Sequence, residues 1–175
     1  MKTENQIKKE TLDNIYYNIG KQKYDFEVFG LKKDENFDTI STNHKKYSEA
    51  IFPMSHLGTC KDKDTYFFFR DINQRQILPN EIVLDIEDNN IDEILDKLKK
   101  WNCEFHAYTA GKGYHVHLFF PSELTQEKKL KVIKYFKCDE MKASERTWIA
   151  LENVKHWKSL KIKQEIQYGK RYRRN

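Results

Sequence analysis

The hydrophobic pattern changes its period once between residues 81 and 98, and this change constrains the fold more than any other feature of the sequence. Within Glu81–Glu87 the aliphatic residues recur with a period of two, which predicts a β-strand with one aliphatic face. Apolar residues then recur at i, i+3, i+4 and i+7 between residues 89 and 100, which predicts an amphipathic helix. The apolar stripe of this helix can cover the aliphatic face of the strand. Asp85 and Glu87 would then lie on the opposite, uncovered face.

The chain beyond this helix predicts further strands and a second helix. Strands are expected at 103–108 and 114–120, joined by a tight glycine-containing turn. A helix is expected at about 122–136, started by a proline and a Ser or Thr cap, and a last strand at 147–151. Together these elements predict an α+β fold of the RRM-like or palm type. In such a fold an antiparallel-rich sheet carries helices on one face and leaves a polar face open for a site.

The remaining sequence is less regular. Short apolar runs predict strands at 24–29 and 65–70. We find no internal repeat and no linker in the sequence, so we expect a single compact domain over residues 1–175. Its most informative part is about 81–163, and a basic tail is expected at 168–175.

Composition limits the class of protein. Aromatic residues make up 14% of the chain, with only three Pro and six Gly, which excludes a disordered or collagen-like protein. The 32 Lys and Arg against 27 Asp and Glu give a net charge of +5, which is compatible with a nucleic-acid partner. No apolar run approaches the ~18 residues of a membrane span, and the start lacks a signal core. We therefore expect a soluble, cytoplasmic protein without a membrane partner.

Asp85 and Glu87 are the first candidate site residues. Because they are two positions apart on a strand, they point the same way with roughly 7 Å between their Cα atoms. Two such carboxylates repel each other, and a hard divalent cation bound by oxygen ligands would relieve the repulsion. A charged pair at the end of a strand that enters a loop is the alternative interpretation.

The segment Thr109–His117 carries the second group of candidates. A glycine-rich hairpin lets backbone N–H groups approach a phosphate, and Lys112 at its tip supplies a positive charge. The period of the second strand places His115 and His117 on the same face as Asp85. An ordinary hairpin turn, in which glycine provides a positive φ, is the alternative interpretation.

The third group follows later in the chain. Asp139 comes shortly after the second predicted helix, and His156 and Lys158 place a hydrogen-bond donor and a cation in one short turn. Alone, this part of the sequence is typical of an ordinary strand and loop. Its significance comes from its order after the first two groups.

Taken in order, these features resemble the catalytic core of the archaeo-eukaryotic primase superfamily. Its small primase subunits show hydrophobic-D-h-D, S-G-[KR]-G-x-H, and an aspartate upstream of L-P-G-S-L-H-x-K-T-G. Val83–Glu87 is similar to the first motif, with Glu for the second Asp, and Thr109–His115 to the second, with Thr-Ala for Ser-Gly. Cys138–Glu140 is similar to the region of the third acid. Leu151–Ser159 resembles the phosphate-binding segment, although Leu160 stands where that segment has glycine.

The resemblance implies a template-dependent nucleotidyltransferase, either a DNA primase or a primase-polymerase. It implies two Mg²⁺ or Mn²⁺ ions held by Asp85, Glu87 and Asp139, with Asp139 preferred to its neighbour Glu140. It further implies that the triphosphate is bound by Thr109, Lys112, Gly113, His115, His156 and Lys158. The expected partners are nucleoside triphosphates, a single-stranded DNA template, and a primase large subunit, a helicase or a replicase.

Two other functions fit parts of the pattern. His115-Val-His117 is similar to the His-hydrophobic-His signature of HUH-type replication-initiator nucleases, with Asp85 or Glu87 as a third metal ligand. Tyr135 would then be the nucleophile that cuts single-stranded DNA. A non-catalytic RRM-like module that binds nucleic acid through aromatic and lysine side chains is the other alternative. It gives the paired carboxylates no role.

Overall fold

The computed structural model describes residues 1–21, 23–50, 68–87, 91–101 and 103–169. Contacts divide the chain into two compact units. The first contains Met1–Gln76 and Trp148–Ile162, and the second contains Ile77–Thr147 and the chain from Lys163 onward. Each unit has a four-stranded antiparallel sheet, and helices accompany both sheets, which confirms the α+β class. The expected single domain stays a prediction.

The first unit begins with helix α1 (Glu4–Asn14), which a capping box starts at Thr3 and a π-helical turn (Ile15–Ile19) extends. A 3₁₀ turn follows its second strand at Tyr47–Ala50. The strands of its sheet lie in the order β2-β1-β3-β7. Their bounds are β1 Glu27–Lys33, β2 Thr39–Lys46, β3 Gln74–Gln76 and β7 Trp148–Ala150.

A buried ion pair joins two parts of the first unit that are distant in sequence. The guanidinium of Arg75 on β3 is fully buried, and its Nη2 lies 2.6 Å from Oε1 of Glu152, two residues beyond β7. The Nε of Arg75 also donates to the same carboxylate. Because a bidentate guanidinium–carboxylate contact satisfies both charges, the pair can remain buried.

The second unit contains the sequence region that predicts function. Its strands lie in the order β4-β6-β5-β8, and every pairing is antiparallel. The described part of the unit also contains two helices and a 3₁₀ turn (Glu140–Ala143). The bounds are β4 Glu81–Ile86, α2 Ile91–Leu98, β5 Glu104–Ala110, β6 Gly113–Phe119, α3 Gln126–Tyr135 and β8 Glu165–Gly169.

One face of the second sheet forms an aliphatic core with both helices. The even positions of β4 pack with the apolar stripe of α2, as the sequence predicts, and with the buried side of α3. Each fully buried aliphatic side chain stabilises the fold by roughly 1.5–3 kcal/mol relative to exposure. The central members of this core are Ile82, Leu84, Ile86, Ile91, Ile94, Leu95, Leu98, Val116, Leu118, Ile133 and Phe136.

Several expected elements differ from the structure. The second predicted helix begins at Gln126, because Thr125 and not Ser122 caps it. The strand expected at 147–151 belongs to the sheet of the first unit, where it pairs with β3. Residues 68–70 are helical and not part of a strand, while 65–67 lie outside the described residues. The expected tail also starts too early, since β8 extends to Gly169.

In the described part of the chain, no helix is both long enough and apolar enough to span a membrane.

Candidate functional site

The pairing of β4 with β6 decides which candidate side chains share a face. Asp85 lies directly opposite His115, and Val83 lies opposite His117. Residues directly opposite in an antiparallel pair point to the same side of the sheet. Asp85, His115 and His117 therefore share the face that the aliphatic core does not cover.

A cavity of about 540 Å³ lies at the end of β4, and four carboxylates line it. These are Asp85 on the strand, Glu87 just beyond its end, Glu93 on α2, and Asp139 in the segment after α3. Helix α2 and the end of α3 form the rest of the wall, which includes Lys97 and Tyr135. The volume falls in the range of small-molecule sites. The structure thus brings Asp85, Glu87 and Asp139, the acids of the first and third sequence groups, to one cavity. Asp85 and Asp139 are 54 positions apart in the chain.

The end of α3 explains how Asp139 reaches this cavity. Lys137 adopts a left-handed conformation with φ 56°, and the backbone N–H of Cys138 donates to the carbonyl of Ile133 at 3.1 Å. This is the usual way in which a left-handed residue ends a helix and reverses the chain. Asp139 then caps the following 3₁₀ turn, its Oδ1 accepting from the N–H of Met141 at 3.0 Å. Its neighbour Glu140 is exposed and is not among the described residues that line the cavity.

Asp85 lies in an electrostatically unfavourable position for a carboxylate. Burial raises the pKa of Asp85, and the negative charges of Asp139 and Glu87 raise it further. Lys142 opposes this rise with its positive charge. His115 Nε2 lies 3.6 Å from Oδ1 of Asp85, which is beyond a normal hydrogen bond.

The oxygen atoms of these carboxylates are suitable ligands for a hard divalent cation. Mg²⁺ and Mn²⁺ prefer oxygen ligands, and a cation between the acids would offset both the burial of the Asp85 carboxylate, which is the main cause of its raised pKa, and the smaller repulsion from Asp139 and Glu87. Among the described residues, no group of three or more His, Cys, Asp and Glu side chains converges closely enough to hold a metal ion. Asp85, Glu87 and Asp139 would therefore have to draw together around the ion.

The hairpin between β5 and β6 carries Lys112 exposed at its tip, next to the strand that bears His115. Gly113 lies against the end of β4, where a Cβ atom would come within 1.9 Å of the carbonyl oxygen of Ile86. Neither Gly111 nor Gly113 has a positive φ. Close packing against β4, and not a left-handed turn, therefore requires glycine at position 113.

Thr109 lies on the edge of this hairpin but is held by the backbone of residue 164. Its N–H donates to the carbonyl of Gln164 at 2.9 Å, and its Oγ1 accepts from the N–H of Gln164 at 3.1 Å. These contacts fix β5 next to the segment that leads into β8. Thr109 thus has a structural role in addition to the nucleotide contact expected from the sequence.

His117 belongs to a buried polar cluster that we call the Glu81 cluster, which consists of Glu81, His117 and Lys163. His117 Nδ1 lies 2.6 Å from Oε2 of Glu81, and Lys163 Nζ lies 2.9 Å from His117 Nε2. The Lys163 ammonium can only donate, so Nε2 accepts and Nδ1 donates to Glu81. All three residues are at most 3% exposed. The expectation that this face is open is therefore wrong at His117, where two charged partners fill the face.

His156 and Lys158 lie in the first unit, separate from the unit that carries the acids. His156 Nδ1 accepts from the N–H groups of Lys158 and Ser159 at 3.1 and 3.2 Å. A neutral imidazole that accepts at Nδ1 carries its proton at Nε2. The turn thus holds His156 as a donor at Nε2, while the Lys158 side chain is exposed.

Three residues near the site were missed by sequence reasoning. Glu81 and Lys163 hold His117, and Lys142 acts on Asp85 through its charge. For Glu81 a signal existed, because it shares the period-two face of Asp85. Nothing in the sequence distinguishes Lys142 or Lys163 from the other lysines of the chain.

Compared with protein-family models, with curated proteins and with solved structures, the chain matches none of them. Its function must therefore be inferred from the residues and their geometry.

Proposed function

We propose that this chain is a template-dependent nucleotidyltransferase, a DNA primase or primase-polymerase of the archaeo-eukaryotic type. The observation that carries the proposal is the cavity shared by Asp85, Glu87 and Asp139. The same three acids stand in the order that the primase motifs require. Acids gathered at one cavity, with Asp85 partly buried and Glu87 and Asp139 exposed, are suited to binding divalent cations.

The fold of the second unit supports the proposal of an RRM-like or palm-type core. Its elements follow the order β4-α2-β5-β6-α3, which is the β-α-β-β-α sequence of ferredoxin-like motifs. Both helices pack on one face of the sheet, and the acids lie at the end of β4.

In this proposal Asp85, Glu87 and Asp139 hold two Mg²⁺ or Mn²⁺ ions. Bound there, the ions would supply Lewis-acid chemistry that activates a 3′-hydroxyl and neutralises the leaving pyrophosphate. The protein's own part is to position the reactants, since phosphoryl transfer needs little covalent chemistry from side chains. The partial burial of Asp85 strengthens its interaction with a cation, because the local dielectric constant is lower than in water.

The triphosphate would be bound by donors and cations. Lys112 supplies an exposed positive charge at the hairpin tip, and His115 supplies an imidazole beside Asp85. Gly113 permits the close packing that fixes the hairpin against β4. The resemblance to the primase phosphate-binding segment assigns a phosphate contact to His156 and Lys158 as well, and that assignment stays a prediction.

The nuclease alternative is weakened by the surroundings of His117. A histidine that ligates a metal must direct a ring nitrogen lone pair at the ion. Both ring nitrogens of His117 already contact Glu81 and Lys163, and the residue is 1% exposed. The pair His115 and His117 is therefore unsuited to hold one metal ion together.

The proposal is tested by incorporation of labelled nucleotides on a single-stranded DNA template in the presence of Mn²⁺. Asp85→Ala and Glu87→Ala should each lower the rate at least about 100-fold, because each removes a ligand of the reacting centre. Asp92→Asn is the matched control, since Asp92 is an exposed carboxylate on α2 outside the cavity. Full activity of either alanine variant would contradict the two-metal site.

A further inference from the structure

An exposed aromatic residue borders the acidic cavity. Tyr135 at the end of α3 lines the cavity and is 56% exposed. Its ring lies 5.9 Å from the ring of Trp101, and Lys97 Nζ lies 5.6 Å from its centre. We call Tyr135, Trp101 and Lys97 the Tyr135 ledge. A tyrosine held in this way by aromatic neighbours presents a rigid surface on which a planar group can stack.

A row of exposed lysines leads along α3 to this ledge. Lys128, Lys131 and Tyr135 occupy positions i, i+3 and i+7 of α3, so their side chains lie on one side of the helix. Lys131 is 76% exposed, and its Nζ lies 3.7 Å from Oε1 of Glu127. Lys137, just after the helix, is exposed and lines the cavity itself. From Lys128 to Lys137 the row extends over roughly 13 Å.

We propose that α3 and the Tyr135 ledge bind a single strand of nucleic acid and guide it past the acidic cavity. A row of cations suits the repeated phosphates of a strand, whereas a free nucleotide presents its phosphates at one point. Tyr135 suits an unpaired base, because stacking on an aromatic ring needs no particular base sequence. The lysines keep the phosphates beside the cavity, whose acids would repel them. This inference rests on the proposed function for the reaction that the bound strand undergoes.

Binding of a fluorescein-labelled oligothymidine of about twelve nucleotides, measured by anisotropy without nucleotide or added metal, tests the inference. Tyr135→Ala should weaken binding about 5- to 50-fold, because a stacking surface is lost. Tyr135→Phe should bind like the wild type, since phenylalanine keeps the ring. Phe37→Ala is the control, because Phe37 is an aromatic residue that is 82% exposed and belongs to the first unit.

The contribution of the lysines is tested separately, through the salt dependence of oligonucleotide binding. The double variant Lys131→Gln/Lys137→Gln should reduce the slope of log affinity against log salt by about 1.4, or about 0.7 for each lost phosphate contact. The same changes at Lys21 and Lys161, exposed lysines of the first unit, should remove less of the slope. An unchanged slope in the first double variant would overturn the lysine row as the strand path.

Other outcomes also decide whether the strand binds at Tyr135. Wild-type protein that does not bind the oligonucleotide, or Tyr135→Ala that binds as tightly as wild type, would overturn the inference. Loss of binding in Tyr135→Phe would exclude stacking as the mechanism. If Tyr135→Ala melts at a lower temperature, photocrosslinking of wild type to an iodouridine-substituted strand replaces it. Crosslinks confined to peptides that contain neither residues 97–101 nor residues 126–137 would overturn the ledge.

Failure of the ledge and failure of the proposed function are distinguishable. Asp85→Ala should lose nucleotide incorporation and keep oligonucleotide binding, whereas Tyr135→Ala should lose binding at low strand concentration and recover incorporation at saturating strand. A chain that binds the strand through Tyr135 but incorporates no nucleotide would keep the ledge and contradict the polymerase.

Discussion

Two carboxylate–histidine pairs lie on the same two strands of the second unit, and they differ in almost every physical respect. Glu81 and His117 are buried, in contact with each other, and compensated by Lys163. Asp85 and His115 lie nearer the end of the strands, are partly exposed, and stand 3.6 Å apart. The first pair is a satisfied network, whereas Asp85 of the second pair lies among charges of both signs, the negative charges of Asp139 and Glu87 and the positive charges of Lys142 and Lys163.

The difference teaches how to separate a structural from a functional use of the same residue types. A buried network with complete hydrogen bonds rigidifies a fold but has no capacity to bind another charge. Carboxylates that are partly buried and repelled by like charges favour neutralisation, either by a proton or by a cation. Asp85 is therefore the residue suited to chemistry, and Glu81 is the residue suited to stability.

The largest expected effect is on the Glu81 cluster. Lys163→Met should lower the free energy of unfolding by about 2–4 kcal/mol, because it leaves a buried acceptor on His117 and the Glu81 charge uncompensated. Urea unfolding followed by circular dichroism measures it. Lys161→Met, which changes an exposed lysine, should cost less than about 0.5 kcal/mol. Equal stability of the two variants would show that the cluster does not hold the fold.

The two histidines should respond in opposite ways. His117→Ala should cost about 2–3 kcal/mol of stability, because it leaves buried Glu81 and Lys163 without their link. His115→Ala should cost about 1 kcal/mol or less but slow nucleotide incorporation about 10- to 100-fold, since it removes a donor to phosphate. Unfolding and incorporation are measured on both variants. Comparable losses of incorporation in two equally stable variants would favour a shared metal at the histidines.

Sequence periodicity was sufficient for the core of the second unit. The period of two along β4 and β6 correctly placed Asp85, His115 and His117 on one face, because successive side chains of a strand point to opposite faces. The stripe of α2 likewise predicted the partner of the aliphatic face. Both inferences use contacts between elements close in sequence.

What the sequence did not predict depends on distant parts of the chain. The burial of His117 requires Lys163, which is 46 positions later, and β7 joins a strand more than 70 positions earlier. The edge strand β8 has no regular alternation of apolar residues to reveal it. Periodicity describes one element at a time, so pairings across long separations and the charges they bury are not determined by it.

A smaller effect is expected when the charge of Asp85 is removed. A raised pKa in the folded state means that folding favours protonated Asp85, so its contribution to stability is full below the ordinary aspartate pKa and is lost as pH rises through the raised value. Asp85→Asn should therefore match wild type near pH 4 and be more stable near pH 7, by up to about 1 kcal/mol. Urea unfolding at several pH values measures the difference.

Added Mn²⁺ should reverse the order of stability of wild type and Asp85→Asn at neutral pH. A cation bound by the acids stabilises the folded wild type by mass action, and the Asn variant loses a ligand. The melting temperature should thus rise with Mn²⁺ in wild type and much less in Asp85→Asn, with Asp92→Asn as the control. A wild type that is less stable than Asp85→Asn at neutral pH and unaffected by Mn²⁺ would leave the acids without a metal.

The smallest expected effect tests whether Asp139 and Lys142 belong to the acidic cavity. Asp139→Asn removes a like charge and should lower the pKa of Asp85, whereas Lys142→Gln removes an opposing charge and should raise it. Carbon-13 NMR titration of the Asp85 carboxyl measures both shifts. Opposite signs are expected only if the two residues act on Asp85 from the same cavity, since a general loosening of the fold would hydrate the carboxyl and lower its pKa in both variants. If Asp139→Asn leaves the Asp85 titration unchanged, Glu140 becomes the acid to test, because it is the only other carboxylate in the segment similar to the third primase motif.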